Sequence, residues 1–159
     1  STHMKHSGKK MTYFDNESGE HIVPYVVEPS VGVDRLLLAF IVEAYTEDEV
    51  DGATRVYLNL SPELAPVKAA VFPLSKKEPL ASMARELYDK LKKVFNVEYD
   101  ESGSIGKRYR RQDEIGTPYC ITVDFDSVED KKVTIRDRNT LQQDRVEIDR
   151  VLDYLLERI

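Results

Sequence analysis

The chain has 159 residues, of which 41% are hydrophobic and 33% are charged, and its formal net charge is −6. This length suits one domain, or one domain and a piece of another, and the composition is ordinary for a globular chain that buries a core. The negative charge argues against a nonspecific nucleic-acid binder, which is usually basic, so any RNA contact must be local.

Cysteine and histidine are scarce. Cys120 is the only cysteine, so an intrachain disulfide is impossible, which fits a reducing, cytoplasmic location. Beyond residues 1–4, which resemble an expression scar, His6 and His21 lack metal-ligand spacing, and we expect no bound metal. No apolar run approaches the roughly 18 residues that a membrane span needs, so we expect no membrane contact.

The first part of the chain reads as a hairpin followed by a strand and a helix. Residues 11–14 and 21–27 flank the polar segment 15–20, which is typical of a hairpin turn. Residues 36–45 are apolar on nearly all faces, which is typical of a helix buried within a larger body. We therefore expect a partner surface for this helix that the chain itself does not supply.

Residues 25–35 predict a strand, a tight turn and a helix start, with Arg35 in the first helical turn. A cation is disfavoured there by about 0.3–1 kcal/mol, because the helix dipole is positive at its N-terminus. A nearby anion or aromatic ring offsets that cost, and helix N-termini bind phosphates. The pattern therefore points to a ligand at this turn.

An α/β domain follows an acidic connection. Residues 46–62 predict a linker or a partly structured connection, in which 55–60 is a possible short strand. Apolar runs and periodicity then predict strands, an amphipathic helix with one buried face, a half-buried strand and a closing helix. In chain order these are strand 67–74, helix 80–95, strand 96–99, helix 105–115, half-buried strand 119–125, turn 127–132, strands 133–136 and 145–148, and helix 148–159. Such an order is typical of an α/β layer with a mixed sheet.

Three segments carry a family resemblance that extends over nearly all of residues 7–159. They are YVVEPSVGVDR at 25–35, LAPVKAAVFPL at 64–74 and GSIGKRYRRQDEIGTP at 103–118. The first resembles the third motif of class II aminoacyl-tRNA synthetases in the form found in glycyl-tRNA synthetases. The second resembles the strand that opens the anticodon-binding domain of that family, and the third resembles a long motif within that domain.

The resemblance implies a fold and a domain order. The expected fold is that of a class IIa anticodon-binding domain, an α/β fold with a mixed sheet of about five strands flanked by about three helices. A strand-helix fragment of the class II catalytic domain is expected to precede it. The expected segments are the scar at 1–4, the end of the catalytic domain at 5–45, a linker at 46–63 and the anticodon-binding domain at 64–159.

The resemblance also implies substrate-binding residues. Glu28, Ser30 and Gly32 would hold glycine, because a carboxylate pairs with an ammonium group and a hydroxyl completes the hydrogen bonds. Gly32, Val33, Asp34 and Arg35 would contact ATP, with the planar guanidinium stacking on adenine and facing the phosphates. Without the resemblance, the residues favour the end of a strand with one exposed acid, and an arginine paired with Asp34 or another surface acid.

The implied reaction joins glycine to its tRNA in two steps. The carboxylate of glycine attacks the α-phosphorus of ATP, and a terminal ribose hydroxyl of glycine tRNA then accepts the glycyl group, with Mg²⁺ neutralising phosphate charge. The intact enzyme is expected to be a homodimer. The first and second motifs of the family have no candidate here, so we assign no catalytic residue and expect the chain alone to be inactive.

One dense basic cluster stands out, at Lys107, Arg108, Arg110 and Arg111. On a helix, the first, third and fourth of these share a face. We interpret the cluster as an RNA-backbone contact, or as a clamp against the tRNA stem or the catalytic domain. The alternative is a solvated helix face paired with Asp113, Glu114 and other acids.

The resemblance places anticodon recognition further along the chain. The expected residues are Glu129, Arg136 and Arg138, within a polar region that includes Asp137, Asn139 and Gln142, because arginine, glutamate and amide groups read unstacked bases. The alternative is that these side chains pair with one another in solvent. Among the tyrosines, which we expect mostly in the core or at its rim, only Tyr109 is a weak candidate for base stacking.

Two other functions remain open. The anticodon-binding fold can serve as an accessory nucleic-acid- or protein-binding module without aminoacylation, and a non-catalytic dimerisation fragment is a third hypothesis. The presence of Glu28, Ser30 and Arg35 together argues against both, because neither requires substrate-binding residues. We therefore favour part of a glycine–tRNA ligase.

Overall fold

The computed structural model describes residues 1–50 and 52–159, which form two compact units, Ser1–Arg35 and Leu36–Ile159. In the first unit, the carboxylate of Asp15 accepts hydrogen bonds from the backbone N–H groups of Glu17 and Ser18, at 3.2 and 3.3 Å, and shapes the turn of a hairpin. The predicted turn is therefore confirmed. The elements of this unit are α1 (Thr2–Ser7), β1 (Tyr13–Asp15) and β2 (Glu20–Ile22).

The strand predicted at residues 25–28 is wrong, because residues 23–32 have no regular secondary structure. Pairing of β1 with β2 ends at Ile22, and no described strand pairs with residues 25–28. β-Branched side chains favour a strand only where a neighbouring strand accepts its backbone hydrogen bonds.

Helix α2 (Val33–Ala44) confirms the predicted helix and places Arg35 in its first turn. Its apolar side chains are uncovered: Leu38 is 62% exposed and Val42 is 67% exposed, and only Ala44 is buried. The helix thus has the apolar surface that the sequence predicts, without a cover from the described residues.

The second unit is built on the predicted mixed five-stranded sheet, in the order β6-β5-β7-β8-β9. Strand β5 runs parallel to β6 and β7, and β8 runs antiparallel to β7 and β9. The elements are β3 (Tyr45–Val50), β4 (Ala53–Leu58), β5 (Ala69–Pro73), α3 (Leu80–Leu91), β6 (Val97–Tyr99), α4 (Ile105–Ile115), β7 (Tyr119–Val123), α5 (Asp126–Asp130), β8 (Lys132–Asp137), β9 (Gln143–Glu147), a 3₁₀ turn (Ile148–Arg150) and α6 (Val151–Leu156).

Helices cover both faces of this sheet. On one face, α3 and α6 bury a stripe that includes Leu87 and Leu155 against the strands. On the other face, Ile105 and Tyr109 of α4 pack over a smaller cluster that includes Phe72. Strand β7 is therefore buried on both faces rather than half-buried as predicted, because it is the central strand and helices lie on both sides. Alternation with polar residues misleads here because Cys120 and Thr122 lie under α4.

The segment predicted as a linker is an ordered hairpin instead. Strands β3 and β4 pair antiparallel, with Tyr45 opposite Leu58, and the N–H of Asn59 donates to the carbonyl of Ala44 at 2.7 Å. The predicted short strand within this segment is present as β4. The domain boundaries themselves remain a prediction. Further on, the turn predicted at 127–132 contains the short helix α5.

Candidate functional site

The predicted glycine and ATP residues lie in an open part of the chain. Every residue from 16 to 43 is exposed, which includes Glu28, Ser30, Asp34 and Arg35. A Cβ atom added at Gly32 would approach no atom closer than 3.9 Å, the Cγ of Arg35. The chain's own packing therefore does not require glycine at this position, which directly precedes α2. These residues stay a prediction.

The basic cluster of α4 divides into an inward and an outward part. Arg108 is only 4% exposed, and its guanidinium donates to the carbonyl oxygens of Pro73 at 2.6 Å and Gly103 at 2.8 Å. Those bonds tie the helix to the carboxyl end of β5 and to the preceding loop. Arg108 therefore has a structural role inside the domain. If its guanidinium moved outward to bind a ligand, these carbonyl groups would lose their hydrogen-bond donor. Lys107 and Arg111 are exposed, and Arg110 is partly exposed.

The outward part lines a shallow depression of about 530 Å³. Arg111 is held there by the carboxylate of Asp100 and by the carbonyl of Ser102 at 2.7 Å. The Nη1 atom of Arg110 is buried and has no hydrogen-bond partner among the described residues. The lining residues are Ser104, Gly106, Lys107, Arg110, Arg111 and Glu114. An excess of cations over acids in a concavity suits a phosphate group.

Arg136 and Arg138, predicted to read anticodon bases, point into the protein. The Nη1 and Nη2 atoms of Arg136 each donate to one oxygen of the Asp113 carboxylate, both at 3.0 Å. Arg138 is 1% exposed, and it donates to the carbonyl of Gly116 and, at 2.7 Å, to the carbonyl of Leu60. Burial lowers the pKa of the Arg138 guanidinium. In this structure neither side chain is free for a base, since each already has internal partners.

Tyr109 likewise has internal partners. Its hydroxyl forms a hydrogen bond of 2.7 Å with Thr122, and its ring meets the edge of Phe72 at 5.6 Å between centroids. The guanidinium carbon of Arg136 lies 4.7 Å from the ring centroid. The candidate for base stacking is therefore a packing residue, and burial raises the pKa of its hydroxyl.

Glu129 remains exposed on α5, as the anticodon prediction requires, and so do Asn139 and Gln142. The turn that carries Asn139 is well fixed. The carboxylate of Asp137 accepts from the backbone N–H groups of Asn139 and Thr140, both at 2.8 Å. Polar groups on these two surface segments are thus accessible to an RNA loop.

A buried ionic group that the sequence did not predict centres on Asp113. Asp113 is fully buried, and besides Arg136 it faces Arg55 of the hairpin at 3.5 Å. Arg55 is 1% exposed and also grips the carboxylate of Asp48 with two nitrogens. The weak alternation at 55–60 was the available signal, since it puts Arg55 and Tyr57 on one strand face.

Hydrogen bonds from Arg55 lower the pKa of Asp48 from its ordinary value of 3.8. A carboxyl group whose pKa is lower in the folded than in the unfolded state stabilises the fold above its unfolded pKa. That contribution is lost as pH falls through 3.8 and below. The hairpin is therefore attached by an acid-sensitive contact.

Residues 1–50 and 52–159 contain neither a membrane-spanning helix nor a candidate metal cluster. None of the helices described there combines the length and hydropathy that crossing a bilayer requires. The same residues contain no group of three or more His, Cys, Asp or Glu side chains arranged to hold a metal ion.

Comparison with known families assigns this fold. The anticodon-binding domain family matches residues 68–158, from the start of β5 to the end of α6. The chain therefore belongs to the anticodon-binding domain family. The RNA-binding domain of threonyl-tRNA synthetase from Cryptosporidium parvum has the same fold, with a TM-score of 0.57 and 26% identity, over 63% of this chain and 25% of that one.

Similarity to full-length proteins extends beyond that domain. The chain is 64% identical over 157 residues to glycine–tRNA ligase of Caldanaerobacter subterraneus subsp. tengcongensis, which covers 99% of the chain and 34% of the ligase. It is 54% identical over 164 residues to glycine–tRNA ligase of Thermobifida fusca, covering 100% of the chain and 36% of that ligase. The chain thus spans about a third of the length of these relatives.

Proposed function

We propose that this chain is part of a glycine–tRNA ligase and supplies its anticodon-binding surface. The observation that carries the proposal is the 64% identity to such a ligase over 99% of the chain. An accessory binding module would need only the anticodon-binding fold at 68–158, yet the similarity also includes residues before it. The intact ligase would work as a cytoplasmic homodimer that joins glycine to glycine tRNA at the expense of ATP.

Residues 28–35 would contribute to the glycine and ATP site of that ligase. Glu28 would accept the ammonium group of glycine, and Ser30 would complete its hydrogen bonds. Arg35 would face the nucleotide phosphates, where the exposed first turn of α2 adds a favourable dipole. ATP supplies the activated phosphorus, and Mg²⁺ would neutralise phosphate charge. The described residues offer no cluster of acidic ligands for the metal, so we assign it no ligand here.

The tRNA would meet two surfaces of the second unit. Lys107, Arg110 and Arg111 would bind phosphates, since they line the basic depression on α4. Glu129, which is exposed on α5, would read a base of the anticodon loop. Arg108, Arg136 and Arg138 would act indirectly, by fixing the strands and turns that present those groups.

The direct test is binding of this chain to the anticodon stem-loop of glycine tRNA across a salt series. The control RNA has its last two anticodon bases exchanged for other bases. We expect at least about tenfold tighter binding of the cognate RNA, because each wrong base costs about 1–3 kcal/mol at a specific site. A preference that persists at moderate salt supports base recognition. Equal binding of both RNAs would contradict the anticodon assignment.

The phosphate contacts have their own prediction. Lys107→Gln and Arg110→Gln should each weaken binding of both RNAs alike and reduce the slope of log K against log salt by about 1. Lys93→Gln removes an exposed cation from the segment after α3 and is the matched control, with affinity expected to stay unchanged. A loss that affects only the cognate RNA would instead make these residues base contacts.

A further inference from the structure

The β3–β4 hairpin is attached to the rest of its unit chiefly by charged groups. None of the β3 residues is buried, and in β4 only Arg55 and Tyr57 are buried. Arg55 stacks over Tyr57 at 4.2 Å and donates to the carbonyl of Arg138 at 2.7 Å. Because the apolar contribution is small, the arginine is the principal anchor of the hairpin.

This anchor belongs to a chain of alternating charges that crosses four elements. Asp48 of β3 binds Arg55 of β4, Arg55 faces Asp113 of α4, and Asp113 binds Arg136 of β8. A buried ion network of this kind is not a general source of stability, since well-packed apolar groups often stabilise as much or more. What such a network provides is directional geometry, because forked arginine–carboxylate contacts tolerate little rotation.

The elements joined in this way include the helix that carries the basic depression and the hairpin that continues α2. Helix α4 carries the depression on its outer side and Asp113, the partner of Arg55, on its buried side. The hairpin follows α2 without an intervening residue, and its base is closed on Ala44. Leu36–Ala44 of α2 and the hairpin lie in the same compact unit as α4.

We infer that Arg55 and Asp113 are positioning residues, which fix the hairpin on α4 so that RNA binding at the basic face of α4 changes the stability of the hairpin that continues α2. The inference rests on the proposed function, because it takes tRNA as the ligand of that face. In energetic terms, RNA binding at the basic face of α4 and attachment of the hairpin to α4 share a coupling free energy. RNA bound at the outer side of α4 acts on the same helix that carries Asp113, to which Arg55 fixes the hairpin.

Amide hydrogen exchange tests this in the full chain, with and without the glycine-tRNA anticodon stem-loop. In the unmodified chain, we expect bound RNA to change protection of β3 and β4 amides severalfold. Arg55→Met should lower hairpin protection about tenfold without RNA and abolish the RNA-dependent change, and Arg55→Lys should restore part of both. Arg55→Met should remain folded because Asp113 keeps Arg136, and the side chain of Asp48 is 34% exposed and can hydrate.

Arg158→Met is the matched control, because Arg158 also lies over a tyrosine ring and contacts a carboxylate, but both partners, Tyr154 and Glu157, are C-terminal. It should leave hairpin protection and its response to RNA unchanged. Protection of β5 and β7 amides reports whether each variant is folded. Undiminished hairpin protection in Arg55→Met overturns the inference, as does RNA binding with no hairpin response. Failure of the chain to bind the RNA at all overturns the coupling and the proposed function together.

Discussion

Replacing Asp113 with asparagine is expected to lower the free energy of unfolding by about 3–5 kcal/mol. The carboxylate is fully buried and is paired with Arg136 at 3.0 Å while facing Arg55 at 3.5 Å. The amide carries no charge to balance two buried guanidinium groups, and its NH₂ group would point a donor at another donor. Urea unfolding at neutral pH, followed by circular dichroism, measures the effect.

Asp149→Asn is the control for that substitution, because the Asp149 side chain is 96% exposed and lies 3.6 Å from Lys90. Its effect should stay within about 0.5 kcal/mol. The double variant Asp113→Leu/Arg136→Met should lose less stability than the two single variants together, since an apolar pair removes both charges. If Asp113→Asn unfolds at the same urea concentration as Asp149→Asn, the buried network does not stabilise the fold.

Replacing Arg138 with methionine is expected to cost about 2–4 kcal/mol of stability, because several acceptors lose this buried donor at once. These acceptors are the carbonyls of Gly116 and Leu60 and the side-chain oxygens of Asn59 and Asn139. Below the unfolding temperature of the variant, its preference for the cognate anticodon loop should equal that of the unmodified chain. Thermal unfolding and RNA binding of the same sample measure both quantities.

Arg150→Met serves as the control for Arg138→Met, because its side chain is 72% exposed and has a single ion-pair partner, Asp153, at 3.8 Å. It should change neither stability nor affinity measurably. Retained stability in Arg138→Met with lost anticodon preference would return Arg138 to the set of base-reading residues. The two variants therefore separate a structural role of this arginine from a role in recognition.

The sheet and its helices were predictable because apolar spacing determines them. Residues 105–115 were predicted as a helix with the bounds of α4, and the apolar run at 67–74 contains β5. Of the β3–β4 hairpin only β4 was predicted, as a possible short strand, because these strands carry acids and few buried apolar groups. Ionic contacts produce no hydrophobic periodicity from which the pairing with β3 could be predicted. The strand predicted at 25–28 failed because strand pairing depends on a partner that composition does not reveal.

The arginines show a second limit of sequence reasoning. Arg108 was predicted to contact RNA because it lies in a dense basic cluster, and Arg136 and Arg138 were predicted to read bases from the family resemblance. Their burial is decided by oxygen atoms far away in sequence, such as the carbonyl of Leu60 for Arg138 and that of Pro73 for Arg108. The substrate residues Glu28, Ser30 and Arg35 rest on family resemblance and similarity, and they remain a prediction.

The contact between α4 and the β3–β4 hairpin bears on which residues must fold together. Gly116 ends α4 with φ +84°, and a Cβ atom there would lie 3.0 Å from the carbonyl oxygen of Leu58. The family match begins at residue 68, yet Leu58 of the hairpin lies against this helix end, and Leu60 just after the hairpin supplies an acceptor of Arg138. We therefore expect the cooperative folding unit to be larger than the family domain. A transplant of residues 68–158 alone would leave both Asp113 and Arg138 short of partners, and a graft into another protein must begin at or before Tyr45.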